Sequence, residues 1–162
     1  GGEGREKNWM PADAAYSVQM PNTYVIFPGF DVDKSDVEQR KLSAVPQAAD
    51  ALCRRIEAME KGDFTHHGSV AWLKSRIIYP WFMRHVDDTP FATTDACVGC
   101  GRCAAACPTA NITISSHKPQ WHGDCLNCLA CYHTCPHHAI AFGRRTRGKG
   151  QYTCPDNKST SK

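Results

Sequence analysis

The sequence predicts an α+β domain made of two similar halves, preceded by part of an α/β unit and a connector helix. Three observations predict it. Eight of the ten cysteines fall between Cys97 and Cys135. That segment repeats itself at an offset of 28 residues. Upstream, short extended runs lead into a long apolar stripe at helical spacing. The remaining composition is ordinary for a globular chain of 162 residues, with 41 % apolar and 22 % charged residues. The longest candidate membrane stretch, Ile77 to Met83, contains Pro80 and falls far short of the roughly 20 residues a spanning helix needs. Gly1 to Asn8 lack the apolar core of an export signal, so a cytoplasmic chain with reduced thiols is expected. No initiator Met is present, and the chain is expected to be a piece of a longer protein.

Residues 1–62 read as the partial α/β unit. Tyr16, Val18 and Met20 alternate with polar residues as in a strand, and Tyr24 to Phe27 is a second extended run closed by Pro28 and Gly29. Ser35 with Glu38 resembles a capping box. Leu42, Val45, Ala49, Leu52, Ile56 and Met59 then form one apolar helical stripe. Pro46 should kink or restart that helix, and Lys61–Gly62 should end it. Cys53, beside Leu52, is expected to be a buried or half-buried structural thiol. Such a helix needs a sheet to cover, and most of that sheet is missing from this stretch.

Residues 63–90 hold the connector helix, over about Ser69 to Val86. Val70, Leu73 and Ile77 form its stripe, with Trp72, Tyr79, Trp81, Phe82 and Met83 adding apolar area. Lys74, Arg76, Arg84 and His85 interleave, which also suits a membrane-surface helix. The connector reading is preferred because Pro80 should break the helix. Asp87 to Pro90 is a polar boundary.

Charge is uneven. Residues 1–90 carry 11 basic and 13 acidic groups, residues 91–143 two of each, and the tail 144–162 six basic and one acidic. Arg144, Arg145, Arg147 and Lys149 are therefore the basic concentration, either a docking patch for an acidic partner or for nucleic acid, or a solvated, loosely ordered terminus.

The cysteines carry the chemistry. Cys97, Cys100, Cys103 and Cys107, and then Cys125, Cys128, Cys131 and Cys135, each obey C-x2-C-x2-C-x3-C-P, the spacing of bacterial two-cluster iron–sulfur proteins. A [4Fe–4S] cubane takes one thiolate on each iron. Three cysteines at intervals of three wrap one cluster, with Gly99 and Gly101 easing the turn, and the fourth points away to the other cluster. The predicted sets are Cys97, Cys100, Cys103 and Cys135 for one cluster, and Cys125, Cys128, Cys131 and Cys107 for the other. Structural zinc prefers paired C-x2-C units with long gaps, and disulfides need an oxidising compartment. Val98, Leu126, Leu129, Ile112, Ile114, Ile140 and Phe142 are expected to cover the clusters, with Ile112–Ile114 and Ile140–Phe142 as short strands in a pseudo-two-fold domain over 91–143. His117, His122, His133, His137 and His138 are expected to be exposed.

Thr94 to Phe142 looks like a bacterial-type 2[4Fe–4S] ferredoxin domain. Met20-Pro-Asn-Thr-Tyr24, the helix after it, Asn111-Ile112, Lys118-Pro-Gln-Trp121, Cys128-Leu-Ala-Cys131 and Gly143-Arg-Arg-Thr146 with Gln151-Tyr152 resemble the flavodoxin–ferredoxin fusion proteins of anaerobic bacteria. The resemblance covers about residues 15–156. It implies that residues 1–62 are the C-terminal remnant of a flavodoxin-like domain. The family's phosphate-binding loop has no counterpart here, so FMN would belong only to an upstream domain.

The expected function is one-electron transfer through two [4Fe–4S] clusters, toward a redox partner protein or flavin domain. The alternative is a structural or interaction module holding non-redox clusters or zinc. No acid, base or nucleophile forms a catalytic site, so the chain reads as an electron carrier that could serve an oxidoreductase. Neither nucleic acid nor a transmembrane segment is expected.

Overall fold

The computed structural model describes residues 12–68, 70–84 and 86–154. Its N-terminal unit is a strand, a long helix and a second strand. Strand β1 (Ala14–Tyr16) pairs in parallel with β2 (Gly62–Phe64), and helix α1 (Ser35–Glu57) makes the crossover that parallel neighbours require. The Tyr16 and Phe64 rings stack at 5.4 Å, and the Arg55 guanidinium lies 4.2 Å from the centre of the Phe64 ring.

Several local expectations are corrected here. Strand β1 ends at Tyr16, short of Val18 and Met20. The Tyr24–Phe27 run is not a strand, because it finds no ladder partner. The Lys149 ammonium instead donates to the carbonyls of Val25 and Phe27. The capping box does not form: Lys34 is the N-cap, without a side-chain cap, and Ser35 is already helical. Asp33, just before the helix, accepts instead from Lys41 Nζ (2.6 Å) and the Asn22 N–H (2.9 Å). Lys41 is the main cause holding the Asp33 carboxyl below the usual range.

Pro46 does not restart α1, which is continuous over Ser35–Glu57. Pro46 is exposed, so water can satisfy the carbonyl its ring leaves without a donor. The helix closes before Lys61. Met59 N–H bonds to Ile56 O and Glu60 N–H to Arg55 O, a Schellman closure with Met59 at φ 53° in the left-handed position that glycine usually takes. Gly62 opens β2 instead. The stripe of α1 is only half-buried, Ile56 is 51 % exposed, and Cys53 is exposed rather than buried.

Residues 71–83 stay helical across Pro80. Helix α2 (Ala71–Leu73) runs into a π-helical turn (Lys74–Ile78) and then α3 (Tyr79–Met83). The wide turn just before Pro80 gives its ring room against the preceding carbonyls, which is why the expected break is absent. Most of this segment is not packed as a connector would be. Trp72 is 70 % exposed and Ile77 60 %. Phe82 does pack, with its ring 6.0 Å from both Tyr24 and Phe27. Ser69 and His85 lie outside the described residues. Among the described residues no helix is long and apolar enough to cross a membrane.

The C-terminal part is a small mixed helix-and-strand unit. Strand β3 (Phe91–Thr93) pairs antiparallel with β6 (Ile140–Phe142), and β4 (Ile112–Ser115) with β5 (Lys118–Trp121). Helices α4 (Arg102–Ala105) and α5 (Ala130–Thr134) follow the two cysteine triplets. Shifting Phe91↔Phe142, Ala92↔Ala141 and Thr93↔Ile140 by the sequence repeat yields Pro119↔Ile114, Gln120↔Thr113 and Trp121↔Ile112, the observed β4–β5 register. Each sheet therefore joins the entry strand of one repeat to the exit strand of the other. Strands β3 and β5 escape sequence reading because they are short and β5 contains Pro119. The β4–β5 turn uses Ser116 (φ 48°) and His117 (φ 61°), without the Asn-Gly signal usual for two left-handed residues.

The core gathers Phe91, Ile112, Leu129, Tyr132, Ala139, Ile140 and Phe142 with Cys103, Cys131 and Cys135. Phe91 stacks on Trp121 at 5.4 Å and meets Phe142 edge-on at 4.8 Å. Val25 and Ile26 belong to the same cluster at 0 % and 3 % exposure. Burial of each contributes roughly 1.5–3 kcal/mol, enough to fasten the N-terminal segment to this core. The tail, expected as a docking patch or a loosely ordered terminus, is fastened to the core at Thr146 and over Lys149 to Gln151. Tyr132 Oη donates to the Lys149 and Gly150 carbonyls, Gly150 N–H reaches Asp31, and Gln151 Nε2 donates to the Tyr132 carbonyl at 2.6 Å.

Met59→Gly should stabilise the protein by about 0.5–1 kcal/mol, because the side chain is exposed and the left-handed backbone penalises any Cβ. Denaturation would show a higher midpoint with an unchanged slope; a lower midpoint would contradict the Schellman closure.

Candidate metal centre

Local backbone geometry repeats with the cysteines. Gly99 (φ 69°) and Gly101 (φ 76°) are left-handed in the first repeat, and Asn127 (φ 50°) and Leu129 (φ 62°) occupy the matching positions in the second. Ala110 (φ 52°) and His138 (φ 49°) match again after each fourth cysteine. The left-handed turns bend the chain around the triplet, and Gly101 and Leu129 are the N-caps of α4 and α5. A left-handed Leu costs about 1–2 kcal/mol, but Leu129 is only 1 % exposed, and its burial offsets a cost of that size.

Two small cavities result. Cys97, Cys100, Cys103 and Cys135 line one, together with Arg102 and Ile140. Cys107, Cys125, Cys128 and Cys131 line the other, together with Trp121 and Leu129. The two cavities are closely alike in size. Each cavity therefore draws three thiols from one repeat and the fourth from the other. All ten cysteines are free thiols. Among the described residues, no three His, Cys, Asp or Glu side chains converge as a single metal ion requires. The thiols surround a space, which suits ligands spread over several irons.

Hydrogen bonds and burial pull the thiols in opposite directions. Asn127 N–H points to Cys125 Sγ at 3.3 Å and Ala139 N–H to Cys135 Sγ at 3.3 Å. Burial raises the Cys107 thiol, but the Thr109 hydroxyl and the N–H groups of Thr109, Asn111 and Ala110 outweigh it, and its pKa falls. Burial pushes Cys103 and Cys125 up, and Cys131 up to about 12. Without a positive partner those thiols stay protonated; bound iron would supply the charge that lets them ionise. Trp121 stands in the wall of the second cavity, and its buried Nε1–H finds no acceptor among the described residues. The donor set thus fits an iron–sulfur cluster: soft sulfur ligands around a space, with N–H groups directed at sulfur.

A buried polar network holds the fourth thiol of the first repeat near the second triplet. Asn111 Nδ2 donates to Asp88 Oδ2 at 2.8 Å, and Asn111 Oδ1 accepts from the N–H groups of His122 (3.0 Å) and Asp124 (2.8 Å). Gly123 N–H also reaches Asp88, at 2.7 Å. The loop before Cys125 is thereby tied to the loop after Cys107. Sequence reasoning missed this role of Asp88, reading it only as part of a polar boundary. An acid within the run Asp87-Asp88-Thr89-Pro90 carries no signal of a partner 23 residues away.

Residues 96–140 match the family described as the 4Fe-4S dicluster domain. This segment is a ferredoxin-type 4Fe–4S domain. No curated protein and no solved structure matches the chain. Within the ferredoxin-type domain, Leu129, Ile112, Ile140 and Phe142 are buried as expected. Val98, Ile114 and Leu126 also line the cavities, but they are 59 %, 37 % and 61 % exposed. His133 is half-buried, not exposed. Its Nε2–H donates to Thr23 O at 2.6 Å, leaving Nδ1 to accept the Tyr152 N–H at 3.1 Å. Burial pushes its pKa down, partly opposed by the Thr23 bond. His117, His122, His137 and His138 are exposed.

A Cβ on Gly99 would lie 2.8 Å from the His117 carbonyl oxygen, whereas one on Gly101 would meet only Ile114 Cγ1 at 4.0 Å. Gly99→Ala should therefore deform the first cavity and lose about half of the bound iron and sulfide. Gly101→Ala should keep the full content and cost about 1 kcal/mol, since Leu129 tolerates the matching conformation. Iron and sulfide analysis of the two folded variants checks this, and equal loss in both would contradict it.

Proposed function

We propose that the chain is a one-electron carrier built on two [4Fe–4S] clusters. Cys97, Cys100, Cys103 and Cys135 hold one cluster, and Cys125, Cys128, Cys131 and Cys107 hold the other. The observation that carries the reading is the composition of the two cavity walls, three thiols from one repeat and one from the other in each. Bound clusters would supply sites that accept and release one electron each. The protein's own residues set the conditions. Thiolates hold iron, N–H groups directed at Cys107, Cys125 and Cys135 stabilise sulfur charge, and Leu129, Ile112, Ile140 and Phe142 keep water away.

The ferredoxin-type domain is read as pseudo-two-fold, supported by the repeated strand register and the repeated left-handed residues. The β1–α1–β2 unit is read as the end of a flavodoxin-like domain in a longer fusion, supported by its parallel pairing across one helix. On that reading FMN belongs upstream, and the physiological partner is a flavin domain or a separate redox protein. Ten free thiols suit the reducing cytoplasm.

Anaerobically purified protein should carry about eight iron and eight acid-labile sulfide per chain. Stoichiometric zinc without sulfide would defeat the reading. Cys53→Ser and Cys154→Ser should retain full iron, since both thiols are exposed and line neither cavity. Cys107→Ala should disturb the cluster on Cys125, Cys128 and Cys131 and leave its neighbour four-cysteine ligated, as read by EPR or Mössbauer spectroscopy. Site differentiation at Cys97, Cys100 and Cys103 instead would refute the crossed ligand sets.

A further inference from the structure

The described part of the basic tail forms one wall of an open groove of about 560 Å³. Arg144 and Arg147 line it with His138, and no acidic residue does. Arg144 and Arg147 are exposed, and neither has an ion pair or side-chain hydrogen bond among the described residues. The other two cations of the described part of the tail are engaged. Lys149 Nζ donates to the Val25 and Phe27 carbonyls, and Arg145 lies 5.6 Å from the centre of the Phe142 ring. The position is held firmly. Thr146, between the two arginines, is 6 % exposed and accepts the Phe142 N–H at 2.9 Å, while Tyr132 grips the chain just beyond.

The groove is also next to one cavity and not the other. Ile140 lines both the groove and the cavity of Cys97, Cys100, Cys103 and Cys135. That cavity carries Arg102 and His137 in its wall and no acid. The second cavity has no Arg, Lys, His, Asp or Glu in its wall, and Asp88 and Asp124 lie in the network beside it.

We propose that this groove docks an acidic protein electron acceptor, and that electrons leave through the cavity of Cys97, Cys100, Cys103 and Cys135. The inference rests on the electron-carrier reading and adds the partner's charge and the exit side. Unpaired arginines on a fixed loop attract a negative patch and speed its encounter, with an effect that salt screens. Ile140 lines both the groove in which the acceptor would dock and the nearer cavity. The step is the loss of one electron by the reduced ferredoxin-type domain and the gain of one electron by the acceptor.

The test uses the full-length holoprotein, checked first for iron, sulfide and reversible bleaching. Dithionite-reduced protein, freed of reductant, is mixed by stopped flow with an acidic flavoprotein, a basic haem protein and a neutral quinone. Transfer to the flavoprotein should fall steeply with ionic strength. In Arg144→Gln/Arg147→Gln it should slow roughly tenfold at low salt and lose most of its salt dependence, with the quinone rate unchanged. Arg144→Lys/Arg147→Lys should restore the rate. An unaffected Gln pair, equally slow Gln and Lys pairs, or faster low-salt transfer to the haem protein would overturn the proposal. Binding of polyglutamate needs no electron transfer. It should occur with the parent protein and weaken in the Gln pair even where the clusters are absent, so a failed electron-carrier reading shows separately as missing iron or bleaching. Tighter binding of a DNA duplex than of polyglutamate would also overturn the proposal.

Discussion

Everything in the C-terminal half depends on a shared wall: neither repeat surrounds a cavity by itself. Cys135 completes the wall that Cys97, Cys100 and Cys103 begin, and Cys107 does the same for Cys125, Cys128 and Cys131. The strands obey the same rule, since β3 pairs with β6 and β4 with β5. A unit of this size has too little apolar interior to be robust on burial alone. Occupied cavities would add bonds that staple one repeat to the other, making ligand binding and folding one process.

Around that shared wall the rest of the chain acts as a brace. Asp88 and Asn111 fasten the loops that carry Cys107 and Cys125. Val25 and Ile26 enter the core from the N-terminal side, and Lys149, Gly150 and Gln151 close over them and over Tyr132. Gly150 fits this closure tightly, because a Cβ there would press into Val32 Cγ2. The basic groove is therefore set on a rigid frame. Its arginines can shape encounters with a partner while the chain's net charge stays at only +3.

The residues that line the two cavities stood out in the sequence, because the cysteines recur at fixed spacing. The two C-x2-C-x2-C-x3-C-P runs named the eight cysteines, and the offset of 28 residues marked the repeat. What escaped was set by tertiary context. The run at Tyr24–Phe27 has strand-like residues, but its carbonyls go to Lys149 and no ladder forms. Gly62 looked like a helix stop, yet Met59 took the left-handed position. Proline positions misled twice: water can relieve the defect at exposed Pro46, and a π turn relieves the one at Pro80. His133 carried no sign of burial, since its partners Thr23 and Tyr152 are distant in sequence.

The most direct test of the shared-wall account is an anaerobic crystal structure with iron located by anomalous scattering. The account predicts two separate groups of four irons. One would be bonded to Cys97, Cys100, Cys103 and Cys135, and the other to Cys125, Cys128, Cys131 and Cys107. Iron groups each held by the four cysteines of a single repeat, or a single metal ion in place of a cluster, would contradict it.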